Sequence, residues 1–87
     1  MENKFFIELS KLATWLVLKG IPFDFRELWG GGIIIVYDDN GNRLWDAVCH
    51  STSIGHERGL LETMGLGGDE DGIAGDLTAR QVINRMG

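Results

Sequence analysis

The sequence predicts an α+β fold in which an N-terminal helix, a three-stranded antiparallel meander, a short helix and a C-terminal helix form one domain over residues 1–87. Three observations support this prediction: an apolar repeat of helical period near the N-terminus, an Asn-Gly turn between two apolar strands, and a capping box before the last apolar residues. Each terminal helix has one apolar stripe, so we expect both helices to pack on one face of the sheet.

The first element is an amphipathic helix, predicted over residues 4–19. Its apolar side chains recur with the period of a helix, at Phe5, Leu9, Leu12 and Leu16. Asn3 is a suitable N-terminal cap. Gly20 followed by Pro22 is expected to end the helix.

Three strands are predicted next, at residues 22–29, 33–37 and 43–50. The first alternates apolar and polar residues, as a half-buried strand does. The second, IIIVY, is apolar on both sides, which predicts a central strand covered on both faces. Residues 30–32 are expected to form the first turn, and the Asn-Gly pair in residues 38–42 predicts a hairpin because both residues accept positive φ angles.

The remainder of the chain is rich in glycine. A short helix is predicted at residues 57–64, with an apolar side made of Leu60, Leu61 and Met64. The acidic segment GGDEDGIAGD, residues 67–76, is typical of a mobile loop. Thr78 and Gln81 then have the spacing of a capping box, which predicts a final helix at residues 79–86.

Composition limits the classes of function. The chain has 44% apolar and 24% charged residues, with 8 basic against 13 acidic residues and a net charge of -5. This balance argues against direct nucleic-acid binding, because a nucleic-acid binder needs basic residues to displace counterions. The single cysteine excludes an internal disulfide and suits a reducing cytoplasm. We expect no secretory signal and no membrane span.

Self-association is expected from the amount of apolar surface. The middle strand is apolar on both sides, and the chain also carries three tryptophans, Trp15, Trp29 and Trp45. One small core does not obviously bury all of these side chains, and burial stabilises by about 25 cal/mol per Å² of apolar surface. The sequence therefore predicts a homodimer or a higher homo-oligomer.

The stretch CHSTSIGHERGLLETMG, residues 49–65, holds a cysteine, two histidines and several hydroxyls. Catalysis is the first interpretation to consider. Adjacent side chains of a strand point to opposite faces, so Cys49 and His50 do not form a nucleophile–base pair. Cys49 and His56 would meet only if the loop folded back. We therefore predict no catalytic residue and no enzyme, and a small hydrolase using Cys49 or His56 remains a third alternative.

Metal binding is not predicted either, and no cofactor is expected. A structural zinc site needs four ligands, whereas the chain has one cysteine and two histidines. The acidic residues between Asp69 and Asp76 lack the ordered ligand positions of a calcium loop.

Ligand binding through hydroxyls and backbone amides is the remaining interpretation of the loop at residues 50–58. The predicted ligand-binding residues are His50, Ser51, Ser53, Gly55, His56 and Arg58, supported by Arg26 and Trp45. Amides and hydroxyls would bind phosphate, an arginine would neutralise its charge, and a tryptophan would stack on a base. The simpler alternative is that Ser51 or Ser53 only caps the predicted short helix.

Three segments, FDFRELW, VCHSTSIGHERGLLETMG and GDLTARQVINRMG, resemble small uncharacterised proteins of temperate phages of Gram-positive bacteria. The resemblance spans nearly the whole chain. It implies an accessory protein that acts in an infected or lysogenic bacterium by binding host proteins or nucleotide signals used in defence. It assigns no role to any single residue.

Taken together, the sequence favours a non-enzymatic, phage-type accessory binding protein in the cytoplasm of the bacterial host. In the leading hypothesis it is an anti-defence factor that sequesters a nucleotide-like signalling molecule through the 50–58 loop. In the alternative it is an acidic protein–protein inhibitor or structural interaction module, whose acidic surface and exposed aromatic residues contact a host protein.

Overall fold

The computed structural model describes residues 3–66 and 72–86. In chain order the elements are α1 (Phe5–Lys19), β1 (Phe23–Leu28), β2 (Gly31–Tyr37), β3 (Arg43–Cys49), a 3-10 turn (His56–Arg58), β4 (Leu61–Met64), β5 (Ile73–Leu77) and α2 (Ala79–Arg85). The strands form one five-stranded antiparallel sheet in the order β1-β2-β3-β4-β5. The prediction of a three-stranded meander is therefore wrong, because two further strands continue the sheet.

The predicted short helix at residues 57–64 is wrong. Only His56–Arg58 forms a 3-10 turn, and Gly59 ends it in the left-handed conformation with φ of 70°. A Cβ at Gly59 would lie 2.9 Å from the carbonyl oxygen of Lys4, so the backbone passes close to α1 here. The following residues form β4, with Leu61 and Thr63 buried.

The predicted acidic loop at residues 67–76 is only partly described. Residues 67–71 lie outside the described part of the chain, and Ile73–Leu77 forms β5 rather than a loop. This strand pairs antiparallel with β4, with Met64 opposite Ile73. The free edge of β4 supplies the hydrogen-bonding partners that a short, glycine-containing segment lacks on its own.

The first turn of the sheet lies earlier than predicted. Trp29 and Gly30 connect β1 to β2, and both have positive φ angles, 46° and 79°. Gly31 and Gly32 belong to β2 instead of to the turn. A Cβ at Gly31 would lie only 1.8 Å from the carbonyl oxygen of Cys49, so only glycine lets β2 approach β3 at this point.

One face of the sheet, here called the core face, packs against both helices. Its core consists of Leu9, Leu12 and Leu16 from α1, Ile34 and Val36 from β2, Trp45, Ala47 and Cys49 from β3, Leu61, Leu77, and Ala79 and Val82 from α2. The capping box of α2 is confirmed: the Thr78 hydroxyl accepts a hydrogen bond from the backbone N–H of Gln81, and the Gln81 side chain accepts one from the Thr78 backbone N–H.

The opposite face of the sheet, here called the open face, includes by strand register Asp24, Arg26, Ile33, Ile35, Tyr37, Arg43, Asp46, Val48, Glu62, Met64 and Ile73. Within residues 3–66 and 72–86, neither helix packs on it. The prediction that the apolar middle strand is covered on both faces is therefore wrong for the single chain. Ile33 and Ile35 remain half-buried on the open face.

Candidate functional site

The first half of the 50–58 loop is organised by the hydroxyl of Ser53. This side chain is only 3% exposed. Its Oγ accepts a hydrogen bond from the backbone N–H of His50 at 3.0 Å and donates one to the backbone carbonyl of His50 at 3.1 Å. Both bonding directions of the hydroxyl are thus used to close a tight turn directly after β3.

His50 is buried and its ring links this turn to the neighbouring hairpin. Its Nδ1 accepts a hydrogen bond from the backbone N–H of Thr52 at 3.2 Å. The imidazole also meets the indole of Trp29 edge-on, with ring centroids 5.0 Å apart. This distance lies in the range of favourable aromatic pairs.

Trp29 belongs to the turn between β1 and β2, here called the Trp29 turn (residues 28–31). Its side chain is 66% exposed. The backbone around it is held from two sides: Ser51 N–H donates to the Trp29 carbonyl at 3.2 Å, and the Asn3 side-chain amide donates to the Gly30 carbonyl at 2.8 Å. A large apolar side chain is therefore displayed to solvent by an ordered polar framework.

A pocket of about 370 Å³ lies beside the Trp29 turn. It is bordered by Asn3 and Phe6 from the N-terminal end of the chain, and by Glu27 and Trp29 from the hairpin. Phe6 also packs on Phe25, with ring centroids 6.0 Å apart. The result is an open pocket whose lining is more polar than apolar, with Phe6, Trp29 and the carboxylate of Glu27 at its border.

The second half of the loop is held by separate contacts. His56 Nδ1 lies 2.7 Å from the carbonyl oxygen of Ser53, and its ring packs against Phe5. Arg58 forms an ion pair with Asp76 at 2.8 Å. The adjoining pocket of about 280 Å³ is lined by both residues of this pair and by Glu57. The carboxylates outnumber the arginine here, so this pocket does not present the excess positive charge that suits a phosphate.

Six of the eight predicted ligand-binding residues share this loop: His50, Ser51, Ser53, Gly55, His56 and Arg58. The two supporting residues lie elsewhere. Trp45 is buried in the core, and Arg26 lies on the open face in an ion pair with Asp24 at 3.0 Å. Among the loop residues, the backbone N–H of Ser51 donates to the Trp29 carbonyl and the His50 ring packs against Trp29. The Ser53 hydroxyl bonds to the backbone of His50.

Trp29 is not among the site residues predicted from the sequence. A usable signal was present: a Trp-Gly pair stands between an alternating strand and an apolar strand, at the spacing of a two-residue hairpin turn. Three consecutive glycines at residues 30–32 made the position of the turn ambiguous, because any of them can occupy a turn.

Cys49 is fully buried in the core. Burial raises the pKa of its thiol, and the more distant positive charge of Lys4 opposes this effect only in part. A nucleophilic cysteine needs a lowered pKa and access to solvent. The position of Cys49 therefore gives no support to thiol chemistry.

Over residues 3–66 and 72–86, no group of three or more His, Cys, Asp or Glu residues is arranged to hold a metal ion. The helices in the same part of the chain are too short or too polar to cross a membrane.

No protein-family model, curated protein or solved structure matches this chain. The function proposed for it is therefore based on its own geometry.

Proposed function

We propose that this protein is a non-enzymatic interaction module that binds a partner protein through Trp29. One observation carries the proposal: a tryptophan that is 66% exposed is fixed on a turn with positive φ and buttressed by a buried histidine. A bulky residue in the left-handed region costs of order 1–3 kcal/mol, and such strain clusters at functional sites.

Tryptophan is well suited to this role. It is enriched among residues that dominate binding energy, and its two side-chain torsions lose little entropy on binding. The buttressing by His50 and the hydrogen bonds to Trp29 and Gly30 hold the display site in position before a partner arrives. Preorganisation of this kind reduces the entropic cost of association.

The surroundings of Trp29 suggest the chemistry of the partner. The pocket of about 370 Å³ beside the indole has room for a side chain of the partner, which would contact the indole and Phe6 in the pocket wall. Glu27 borders the same pocket, and the chain carries a net charge of -5. A partner with an apolar residue surrounded by basic side chains is complementary to this surface.

The polar stretch after β3 takes a structural role in this proposal: it holds Trp29. Sequestration of a nucleotide-like molecule by the 50–58 loop is the competing function. It has less support, since the Ser53 hydroxyl and Arg58 already have partners within the chain. Given the resemblance to small phage proteins, we further propose that the partner is a host protein of the bacterial cytoplasm.

The test combines cross-linking with quantitative binding. A photoreactive benzoylphenylalanine is placed at position 29 in the bacterial cell and, as a matched control, at position 18, because Leu18 is also apolar and is 78% exposed on α1. We expect one dominant cross-linked protein from position 29 and not from position 18. With that protein purified, Trp29→Asn should weaken binding by at least tenfold, which corresponds to about 1.4 kcal/mol, while Leu18→Asn should not change it.

Two results would contradict the proposal that the protein binds its partner through Trp29. Binding of the purified partner that stays within twofold for Trp29→Asn would remove Trp29 as the contact residue. A thermal shift with mono-, di- or cyclic nucleotides that is abolished by His56→Ala, while Trp29→Asn retains it, would assign the function to the 50–58 loop instead.

A further inference from the structure

The open face has an apolar centre. Ile33 of β2 lies directly opposite Val48 of β3, and Ile35 lies opposite Asp46. Val48 and Asp46 are already buried within the chain, whereas Ile33 and Ile35 are half-buried. Met64 of β4 lies in the same face and is 47% exposed. A sheet face of this composition normally packs against a second layer, because domains bury the apolar side of a sheet.

The charged groups of the open face are already paired within the chain. Asp24 accepts hydrogen bonds from Arg26 at 3.0 Å and from the Tyr37 hydroxyl at 2.9 Å. Arg43 forms an ion pair with the buried carboxylate of Asp46. Covering these groups would therefore bury compensated pairs and leave no carboxylate without a partner, which is the condition for burying charge at an interface.

Glu62 completes this set. Its carboxylate accepts a hydrogen bond from the backbone N–H of Ile54 at 2.8 Å. The loop after β3 therefore provides one hydrogen-bond donor to Glu62. The face then holds two arginines against three carboxylates, a net charge of -1, while the whole chain carries -5. This face therefore carries only a small part of the negative charge of the chain, so it adds little electrostatic repulsion when two copies meet through it.

From this combination we infer that the open face binds a second copy of the chain, so that two sheets pack face to face about a two-fold axis. Sheets pack in this way in sandwiches, about 10 Å apart. A standard interface buries about 800 Å² per partner, and a molecule that extends 36 × 30 × 21 Å has room for one such interface. A two-fold interface also needs a self-complementary patch, which apolar centres with internally paired charges provide.

This inference is independent of the proposed function. The dimer is formed by one protein alone, whereas the interaction through Trp29 needs a partner. A dimer formed through the open face would carry two copies of the Trp29 turn. Two copies would strengthen binding to a partner that is itself repeated or dimeric.

The experiment is sedimentation velocity of the purified chain over a concentration range of several micromolar to several hundred micromolar. We expect a species of twice the chain mass of 9.7 kDa. Met64→Lys should raise the dissociation constant at least tenfold, because it places a charge on an exposed position of the open face. Leu18→Lys is the matched control, since Leu18 is exposed on α1, and it should leave the dimer unchanged.

A second measurement locates the contact without destabilising substitutions. Isotope-filtered NOE spectra of a mixture of labelled and unlabelled chains should show contacts between chains from the methyl groups of Ile33, Ile35 or Met64. A mass of 9.7 kDa at every concentration would overturn the inference. So would a dimer that survives Met64→Lys and Ile35→Lys, or one that dissociates on Trp29→Asn.

Discussion

The edge-on contact between Trp29 and His50 joins two hairpin ends that are 21 residues apart in sequence. His50 is buried, so the indole is supported by a ring that is almost wholly enclosed by the protein. Trp29 itself remains largely exposed. The pair thus holds a surface residue in a fixed position, and it gives a structural reason for the histidine directly after β3.

The positive φ of Trp29 leads to the first prediction. Asn-Gly is the preferred pair for a two-residue turn in which both φ angles are positive. Trp29→Asn should therefore leave the free energy of unfolding equal to or above that of the wild type, although the ring contact with His50 is lost. Trp29→Ala loses the same contact without relieving the backbone, so it should be less stable than Trp29→Asn by about 1 kcal/mol. Urea denaturation measures both, and equal stabilities would show that the backbone is not strained.

Ser53→Ala should destabilise the protein by about 1–3 kcal/mol, because it removes the hydroxyl that accepts from the backbone N–H of buried His50, whereas the His50 carbonyl keeps its bond from the Ser53 N–H. Ser51→Ala is the matched control: Ser51 is exposed, and its hydroxyl makes no hydrogen bond to the described residues. It should change stability by less than about 0.5 kcal/mol. Thermal unfolding separates the two variants, and equal effects would contradict a structural role for Ser53.

Thr63 provides a prediction of increased stability. Its side chain is buried on the core face, and its hydroxyl has no hydrogen-bond partner among the described residues. Thr63→Val keeps the shape and removes the unsatisfied group, so it should raise the free energy of unfolding by about 1 kcal/mol. Thr14→Val is the control, because the exposed Thr14 hydroxyl donates to the carbonyl of Ser10. Urea denaturation should show a gain for Thr63→Val alone.

Glu8 connects α1 to the start of α2: its carboxylate accepts hydrogen bonds from the backbone N–H of Ala79 and from Lys11. Burial alone would raise the pKa of Glu8, but these hydrogen bonds outweigh it and the pKa is lowered. The pKa of Glu8 is lower in the folded protein than in the unfolded chain, where it is about 4.3. Ionised Glu8 therefore contributes stability that is fully present above about pH 4.3. It is lost as the pH falls through the lowered pKa.

Glu8→Gln should accordingly cost about 1 kcal/mol at pH 7, and the difference from the wild type should shrink toward pH 3. Urea denaturation at several pH values measures it. Glu27→Gln is the control: Glu27 is exposed and forms no ion pair with the described residues, so it should cost less than about 0.5 kcal/mol at pH 7. A difference that does not change with pH would contradict this role of the carboxylate.

The last prediction concerns Cys49. Because the thiol is fully buried and its pKa is raised by burial, it should react with Ellman's reagent only through unfolding of the protein. We expect fast reaction in 6 M urea and a reaction in buffer slower by at least a hundredfold. Rapid reaction of the native protein would return thiol chemistry to consideration.

The sequence predicted the elements whose signals are local. The period of Leu9, Leu12 and Leu16 and the left-handed cap at Gly20 define α1 without help from the rest of the chain. The capping box of α2 is equally local. These features depend on residues three or four apart, which is the range in which a helix makes its own contacts.

The region after β3 could not be predicted in the same way. Leu60, Leu61 and Met64 have helical spacing, and the four residues Leu61–Met64, which form β4, are too few for a periodic pattern to decide between a helix and a strand. The choice is made by the edge of β3, with which β4 pairs. β5 depends in turn on β4, and its own glycine and acidic residues disfavour a strand.

The candidate site shows a related limit. Residue types identified the 50–58 loop, but not whether its polar groups face a ligand or one another. Ser53 bonds to the backbone of His50, and Arg58 pairs with Asp76, which is 18 residues away. Only the path of the chain reveals such partners. The same path places Trp45 in the core and leaves Trp29 outside it.

The strand order also bears on how the chain folds. Every strand pairs with its neighbour in sequence, so each hairpin can form without waiting for a distant segment. The hydrogen bond between Glu8 and Ala79 is different, because it joins positions 71 residues apart. We expect the sheet to assemble hairpin by hairpin in milliseconds or less, and the docking of the last helix on the first to come late in folding.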